Sequence, residues 1–352
     1  MKSFDELLRL GVAQKASDIH LTHGSMPSCR VDGEIRELSR EVLTPGDTAA
    51  IVDALLNDAQ KKTFRESDEA DLAYSLADVG RFRVNVFRQR GGAALVARAL
   101  NPTIPSPKQL GIPDVVVKMT EKRRGLVLVT GPTGSGKSTT LASLIDIINT
   151  NRPDHIITIE DPIEYVHKSK ASLVNQREVG VDTHSFANAL RASLREDPDV
   201  ILVGEMRDLE TISAAVTAAE TGHLVFSTLH TIGAANTIDR IIDVFPPNQQ
   251  GQIRAQLAEV IECVVSQQLM VKRGGVGRVA ALEVMLANGA IKSHIREGKT
   301  FQIPSTIQTN RKLGMVTMDD ALYELYENGD ISSETALSYA VDRAALGRRL
   351  MV

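Results

Sequence analysis

The chain holds only two cysteines, Cys29 and Cys263, in 352 residues, and no tryptophan. Cysteines so far apart form no C-x-x-C pair, which excludes a four-cysteine zinc module and a disulfide framework and fits a reducing, cytosolic setting. Aromatic residues reach 4%, too few for a base-stacking platform that grips single-stranded nucleic acid. No apolar run approaches the roughly 18 residues that span a bilayer. Asp5 and Glu6 stand where a signal peptide needs an apolar core, so membrane association is expected only through partners. Positive charge is not in excess either. Against 44 Asp and Glu there are 40 Lys and Arg, a net charge of -4, so no global field draws the chain to DNA or anionic lipid.

What is present is the composition of a folded protein, 43% hydrophobic and 24% charged, at a length that suits two or three domains. A proline-punctuated stretch begins at Asn101 and runs to Asp114, with Pro102, Pro105, Pro107 and Pro113. Because proline fixes φ and withholds a donor, we read 101–120 as a linker. Before it, SDIHLTHG, PSCRVDGEI, DLAYSL and GRFRVNVFRQR alternate apolar with polar residues, and Pro45 to Phe64 has helical periodicity. Residues 1–100 therefore read as a small α+β domain.

After the linker, in 121–352, come four short apolar runs, GLVLVTG, HIITIED, DVILVGE and HLVFSTLH, separated by helical patterns such as Leu209 to Thr221. Strands apolar on both faces that alternate with helices predict a parallel, helix-covered sheet of an α/β fold. Residues 267–285 read as a hairpin turning at Gly274 and Gly275, and the chain from about 290 as mostly helical.

The first of these strands runs into Gly131-Pro132-Thr133-Gly134-Ser135-Gly136-Lys137-Ser138, followed by Thr139 and a helical stretch. This is G-x-x-x-x-G-K-[ST] in its required context. The glycines let backbone N–H groups turn inward around phosphate oxygens, the helix directs its positive end at them, Lys137 reaches the β and γ phosphates, and Ser138 ligates magnesium. ATP with Mg2+ is the expected ligand.

A phosphate loop needs a carboxylate on a second strand, and Val200 to Gly204 ends in Glu205. Whether Glu205 holds the metal, activates water, or does both is left open by its being Glu rather than Asp. Glu160, Asp161 and Glu164 end the preceding strand, at the edge where open α/β sheets place their ligands. Glu164, past the stiff Asp161-Pro162 step, is the favoured group to orient or deprotonate water; a solvated acidic loop is the alternative. His230, closing the fourth strand, either senses the γ-phosphate or is structural.

These residues resemble the secretion and type IV pilus ATPases, and within them the PilT-like retraction motors of twitching motility. The similarity runs through Ala16 to Leu21, Arg30 to Gly33, Gly80 to Asn85, Gly131 to Thr139, Ile159 to Glu164, Gln176 to Gly180, Asp197 to Asp208 and Gly222 to Thr231. The resemblance implies a PAS-like N-terminal domain, a RecA-like core with a P-loop, and a cytoplasmic homohexameric ring that burns ATP between domains. It also implies a place at the inner face of the bacterial membrane, against a platform protein and the pilus base. Arg81, Arg83 and Arg98 match the arginines that such rings bring to the phosphates; a solvated charged face is the other reading of Arg81 and Arg83. Ala290 to Glu297 stands where retraction motors carry a helix close to AIRNLIRE, matching at Ala290, Ile291, Ile295, Arg296 and Glu297 and departing at Lys292, Ser293 and His294.

Within the family, extension and type II secretion ATPases usually have a longer N-terminal region and often a zinc module. The chain starts directly at the PAS-like domain without a cysteine cluster, which favours retraction over these paralogues. A RecA-like nucleic-acid motor would use Lys122-Arg123-Arg124, against the acidic balance and scarce aromatics. A small-molecule kinase would need an acceptor pocket and lid, which the sequence does not display.

Overall fold

Strands β7 (Gly125–Thr130), β8 (His155–Glu160), β10 (Val200–Val203) and β11 (Leu224–Leu229) are apolar on both faces because each face meets its own core. Leu126, Leu128, Ile157, Ile201 and Val225 pack into one cluster, while Val127, Val129, Ile156, Leu202 and Phe226 pack into another. Two flanking helical layers make that possible. In the computed structural model, which describes residues 2–31, 33–100 and 103–350, the chain forms two units, Met1–Thr103 with Pro162–Val166, and Ile104–Asp161 with His167–Val352. Asp32, Asn101 and Pro102 lie outside the described residues.

The larger unit carries a seven-stranded sheet in the order β13-β12-β7-β11-β10-β8-β9. The expectation of a parallel sheet is met by six strands; β13 (Arg278–Leu286) runs antiparallel to β12 (Ile261–Val271), so the sheet is mixed. The hairpin strand begins at Ile261 rather than Gln267 because the helix Pro247–Val260 passes directly into extended backbone at Ile261. Strand β9 (Leu173–Glu178) was not expected from its polar sequence, LVNQRE; it lies at the edge of the sheet, paired with β8. Beyond Thr103 the proline-punctuated stretch is packed, with Ile112, Val116 and Met119 inside the core on one face of this sheet. Ile291 and Ile295 are fully buried in the core of the opposite face. The last helices close a separate small core around Met270, Met318, Leu322 and Leu346.

The smaller unit is a six-stranded antiparallel sheet, ordered β3-β2-β1-β6-β5-β4. Its strands are β1 (Asp18–Thr22), β2 (Ser28–Val31), β3 (Glu34–Glu37), β4 (Glu69–Leu76), β5 (Gly80–Gln89) and β6 (Gly92–Ala99). Strand β6, alanine-rich and without clean alternation, was not foreseen. The single helix expected over 45–64 is two, Pro45–Leu55 and Asp58–Ser67. Leu56 is extended, and Asn57 starts the second helix with a capping box: its side chain accepts from Gln60 N, and the Gln60 side chain accepts from Asn57 N.

Candidate active site

Parallel register brings the carboxyl ends of four strands to one edge. Thr130 of β7 lies opposite Leu229 of β11, and Val203 of β10 lies between Ser227 and Ile159. The loops that leave this edge hold the motif residues, as expected of an open α/β sheet.

The phosphate loop is built on three glycines at positive φ, Gly131 at 141°, Gly134 at 80° and Gly136 at 90°. Gly136 is the N-cap of the helix Lys137–Asn151, so the first turn's N–H groups open into the loop. Lys137 is buried, and its Nζ donates to the carbonyls of Gly131 at 2.8 Å and Pro132 at 3.0 Å, spanning the loop. Ser138 and Thr139, next on the helix, are half-buried. Among the described residues, the buried Ser135 hydroxyl has no hydrogen-bond partner. A buried hydroxyl without a partner, in a glycine-rich loop at a helix N-terminus, is a feature that an oxyanion or its water would satisfy.

Glu205 follows β10 and is mostly shielded, its side chain 19% exposed. Its Oε2 sits 2.7 Å from Arg207 Nε and 3.4 Å from His230 Nε2. Thus the structure joins Glu205 and His230, two of the residues picked from sequence, and adds Arg207, which was not. The strand ends around them are held by cross-links: Thr228 Oγ1 donates to Gly204 O at 2.7 Å, and Met206 N to Thr228 O at 3.0 Å. Past His230, Gly233 N donates to Ser266 Oγ of β12 and Ala234 N to Glu283 of β13, at 2.8 and 2.7 Å. Burial raises the Glu283 carboxyl above the usual carboxylate range, against the pull of the Ala234 and Met318 N–H groups.

In the acidic cluster, Glu160 Oε1 accepts from Thr158 Oγ1 at 2.6 Å and from Gln176 Nε2 at 3.1 Å. Gln176 Oε1 also accepts from His167 N at 2.7 Å, so one β9 amide ties both ends of the loop that carries Glu164. Glu164 itself is exposed and belongs to the Pro162–Val166 segment of the smaller unit.

The three arginines also belong to the smaller unit. Arg83 lies opposite Arg98 across β5 and β6, and Arg98 lies opposite Asp18 of β1. Arg98 Nε meets Asp18 Oδ1 at 2.8 Å. Burial would raise the Asp18 carboxyl, but hydrogen bonds from Arg98 and Ser17 bring it below its ordinary value. Arg83 is exposed, 3.7 Å from Asp71, and Arg81 is half-buried. On the larger unit, the basic run considered as a nucleic-acid contact is partly neutralised, Lys122 by Glu262 at 2.8 Å and Arg123 by Asp154 at 3.3 Å.

On the helix Gly289–Arg296, Ile291 and Ile295 face the core, while Arg296 pairs with Glu259 at 3.2 Å and Lys292 donates to Glu259 O at 3.1 Å. Two contacts of the departing positions are local: Ser293 donates to Glu297, and His294 Nε2 lies 3.0 Å from Thr306 Oγ1.

No described helix is long and apolar enough to cross a membrane. Residues 2–293 match the family model described as type II/IV secretion system protein. The chain is 52% identical over 331 residues to the type IV pilus retraction ATPase PilT of Pseudomonas aeruginosa, covering 94% of this chain and 96% of that protein. It is 49% identical to a twitching motility protein of Neisseria gonorrhoeae, over 94% of this chain and 88% of the other. Its fold superposes on the crystal structure of the pilus retraction motor PilT with bound ADP at a TM-score of 0.93 and 50% identity, covering 99% and 100% of the two chains.

Proposed function

The chain belongs to the type II/IV secretion system protein family, and from that membership we propose that it is the ATP-hydrolysing motor of type IV pilus retraction, the engine of twitching motility. The observation that carries this reading is the phosphate loop at the sheet edge that also holds the Glu205 and His230 pair, in a chain half identical to a retraction ATPase along nearly its whole length.

In the proposed reaction, water attacks the γ-phosphorus, the bond to the β-phosphate bridging oxygen breaks, and ADP and phosphate leave. Gly131, Pro132, Thr133, Gly134, Ser135, Gly136, Lys137, Ser138 and Thr139 form the cradle. Its backbone N–H groups and helix terminus take the phosphates, and Lys137 turns from loop carbonyls to phosphate oxygens. Glu164 and Glu205 orient the water and receive its proton, and His230 reports the γ-phosphate back to Glu205. Arg81, Arg83 and Arg98 supply guanidinium groups to the transferring phosphoryl group in a homohexameric ring.

Mg2+ fits the residues present. Among the described residues no group of three or more His, Cys, Asp or Glu is placed to hold a metal alone. The Ser138 hydroxyl, half-buried on the first turn of the helix, and the mostly shielded Glu205 carboxylate are hard oxygen donors of the kind Mg2+ takes when it is carried on ATP phosphates. Ser138 and Glu205 would hold the ion, which would supply charge neutralisation to the phosphates. We assign the motor to the cytoplasmic face of the inner membrane, with a platform protein and the pilus base as partners and no direct nucleic-acid contact.

The test is ATP turnover by the purified chain without any acceptor. Release of phosphate, unaffected by DNA at any salt concentration, is expected. Turnover that required an acceptor molecule would make the chain a kinase, and stimulation by DNA would make it a nucleic-acid motor.

A further inference from the structure

Gln267 lies on β12, in the strand beside the one that feeds the phosphate loop, and is 4% exposed. Both ends of its amide are used on the loop and its helix. Nε2 donates to the carbonyl of Ser135 at 2.6 Å, and Oε1 accepts from Thr140 Oγ1 at 2.8 Å. Two of the three loop glycines, Gly131 and Gly136, also abut this residue. A Cβ on Gly131 would overlap the Gln267 carbonyl, and one on Gly136 would come within 2.9 Å of Gln267 Nε2.

The direction of the first bond matters for phosphate binding. In a planar trans peptide the carbonyl and the following N–H point opposite ways. A Ser135 carbonyl held toward β12 therefore sends the Gly136 N–H away from β12, on the side where the loop must present donors. Left to itself, a loop rich in glycine samples many peptide orientations, and each flip would replace a donor with a carbonyl oxygen. The bond to Thr140, one turn into the helix, fixes the helix start in the same frame.

We infer that Gln267 is a positioning residue of the nucleotide site: its side-chain amide sets the peptide orientation of the phosphate loop and joins it to the first turn of the following helix. This deepens the nucleotide-binding reading above and rests on it. Its effect is on affinity for the β-phosphate, which ADP reports without hydrolysis.

The experiment measures ADP affinity by titration calorimetry, and thermal stability, for the full chain and three variants. Gln267→Leu keeps the volume and removes both bonds; weakening of about tenfold is expected, from two hydrogen bonds of ordinary strength. Thr140→Val removes one and should weaken binding by about threefold; it reads the same link if the leucine variant fails to fold. Asn149→Ala is the comparison. This buried amide makes an equivalent pair of bonds, to Lys168 O and from Lys170 N at 2.8 and 3.0 Å, twelve residues beyond Lys137 on the same helix. It should lower thermal stability with ADP affinity unchanged. Wild-type ADP affinity in a folded Gln267→Leu or Thr140→Val chain would overturn the inference, as would an equal loss of affinity in Asn149→Ala. Absence of ADP binding by the unaltered chain would instead refute the nucleotide reading itself.

Discussion

Alanine at Gly131 and at Gly134 separates two contributions that a sequence motif merges. Gly134 has φ 80° and nothing within 4 Å of where a Cβ would stand. Gly134→Ala therefore pays only for the left-handed backbone, about 1–2 kcal/mol. Gly131 has φ 141°, a region that side chains avoid, and its Cβ would overlap the Gln267 carbonyl with Ser135 Oγ at 2.8 Å. That carbonyl belongs to a core strand and does not yield. Backbone strain of about 1–3 kcal/mol adds to overpacking of about 1–3 kcal/mol. To relieve both, the loop must leave the conformation in which it binds phosphate. Since each 1.4 kcal/mol is a factor of about ten, Gly131→Ala should weaken ADP binding by several hundredfold at the middle of that range and by about thirtyfold at the least, and Gly134→Ala by about five- to thirtyfold. Titration calorimetry on folded variants, checked by circular dichroism, gives both numbers. Equal losses would show that the observed loop conformation is not the one that binds nucleotide.

Lys137→Ala should abolish phosphate release with the far-ultraviolet spectrum unchanged; near-normal turnover would remove the loop from the mechanism. Mixing Arg81→Ala chains with Lys137→Ala chains should restore activity at roughly a quarter of the interfaces in an equal mixture if the arginine acts across subunits; no rescue at any ratio would place it outside a shared site. Burial lowers the His167 imidazole to about 4 from an ordinary 6.5. The folded state favours the neutral ring, so its contribution is present above about pH 6.5 and is lost as pH falls toward 4, about 2 kcal/mol of it by pH 5. Urea unfolding at pH 7.5 and pH 5 should show that loss in the natural chain and its absence in His167→Gln; equal losses in both would contradict it.

The phosphate loop and the four apolar strands around it were legible because their signal is local: a strand of six, a glycine-rich turn and a helix, all within 125–151. The Gln267 tie was not, since its partners stand 127 and 132 residues away in sequence, and a glutamine on a hairpin strand reads as surface. Arg207 escaped for a different reason, because an exposed arginine two residues after a glutamate is ordinary until the strand end folds the pair together. Strands β6 and β9 lacked the alternation that marks a half-buried strand, the first from alanine-rich packing and the second from its place at a sheet edge. The break at Leu56 was hidden because hydrophobic periodicity continues across it and only the Asn57 cap marks the new start.

The central claim is that ATP turnover by this chain withdraws pili, and imaging cells that lack it tests that claim most directly. Such cells should no longer twitch but carry surface pili, often in excess. Cells without pili would contradict it and make the chain an extension motor.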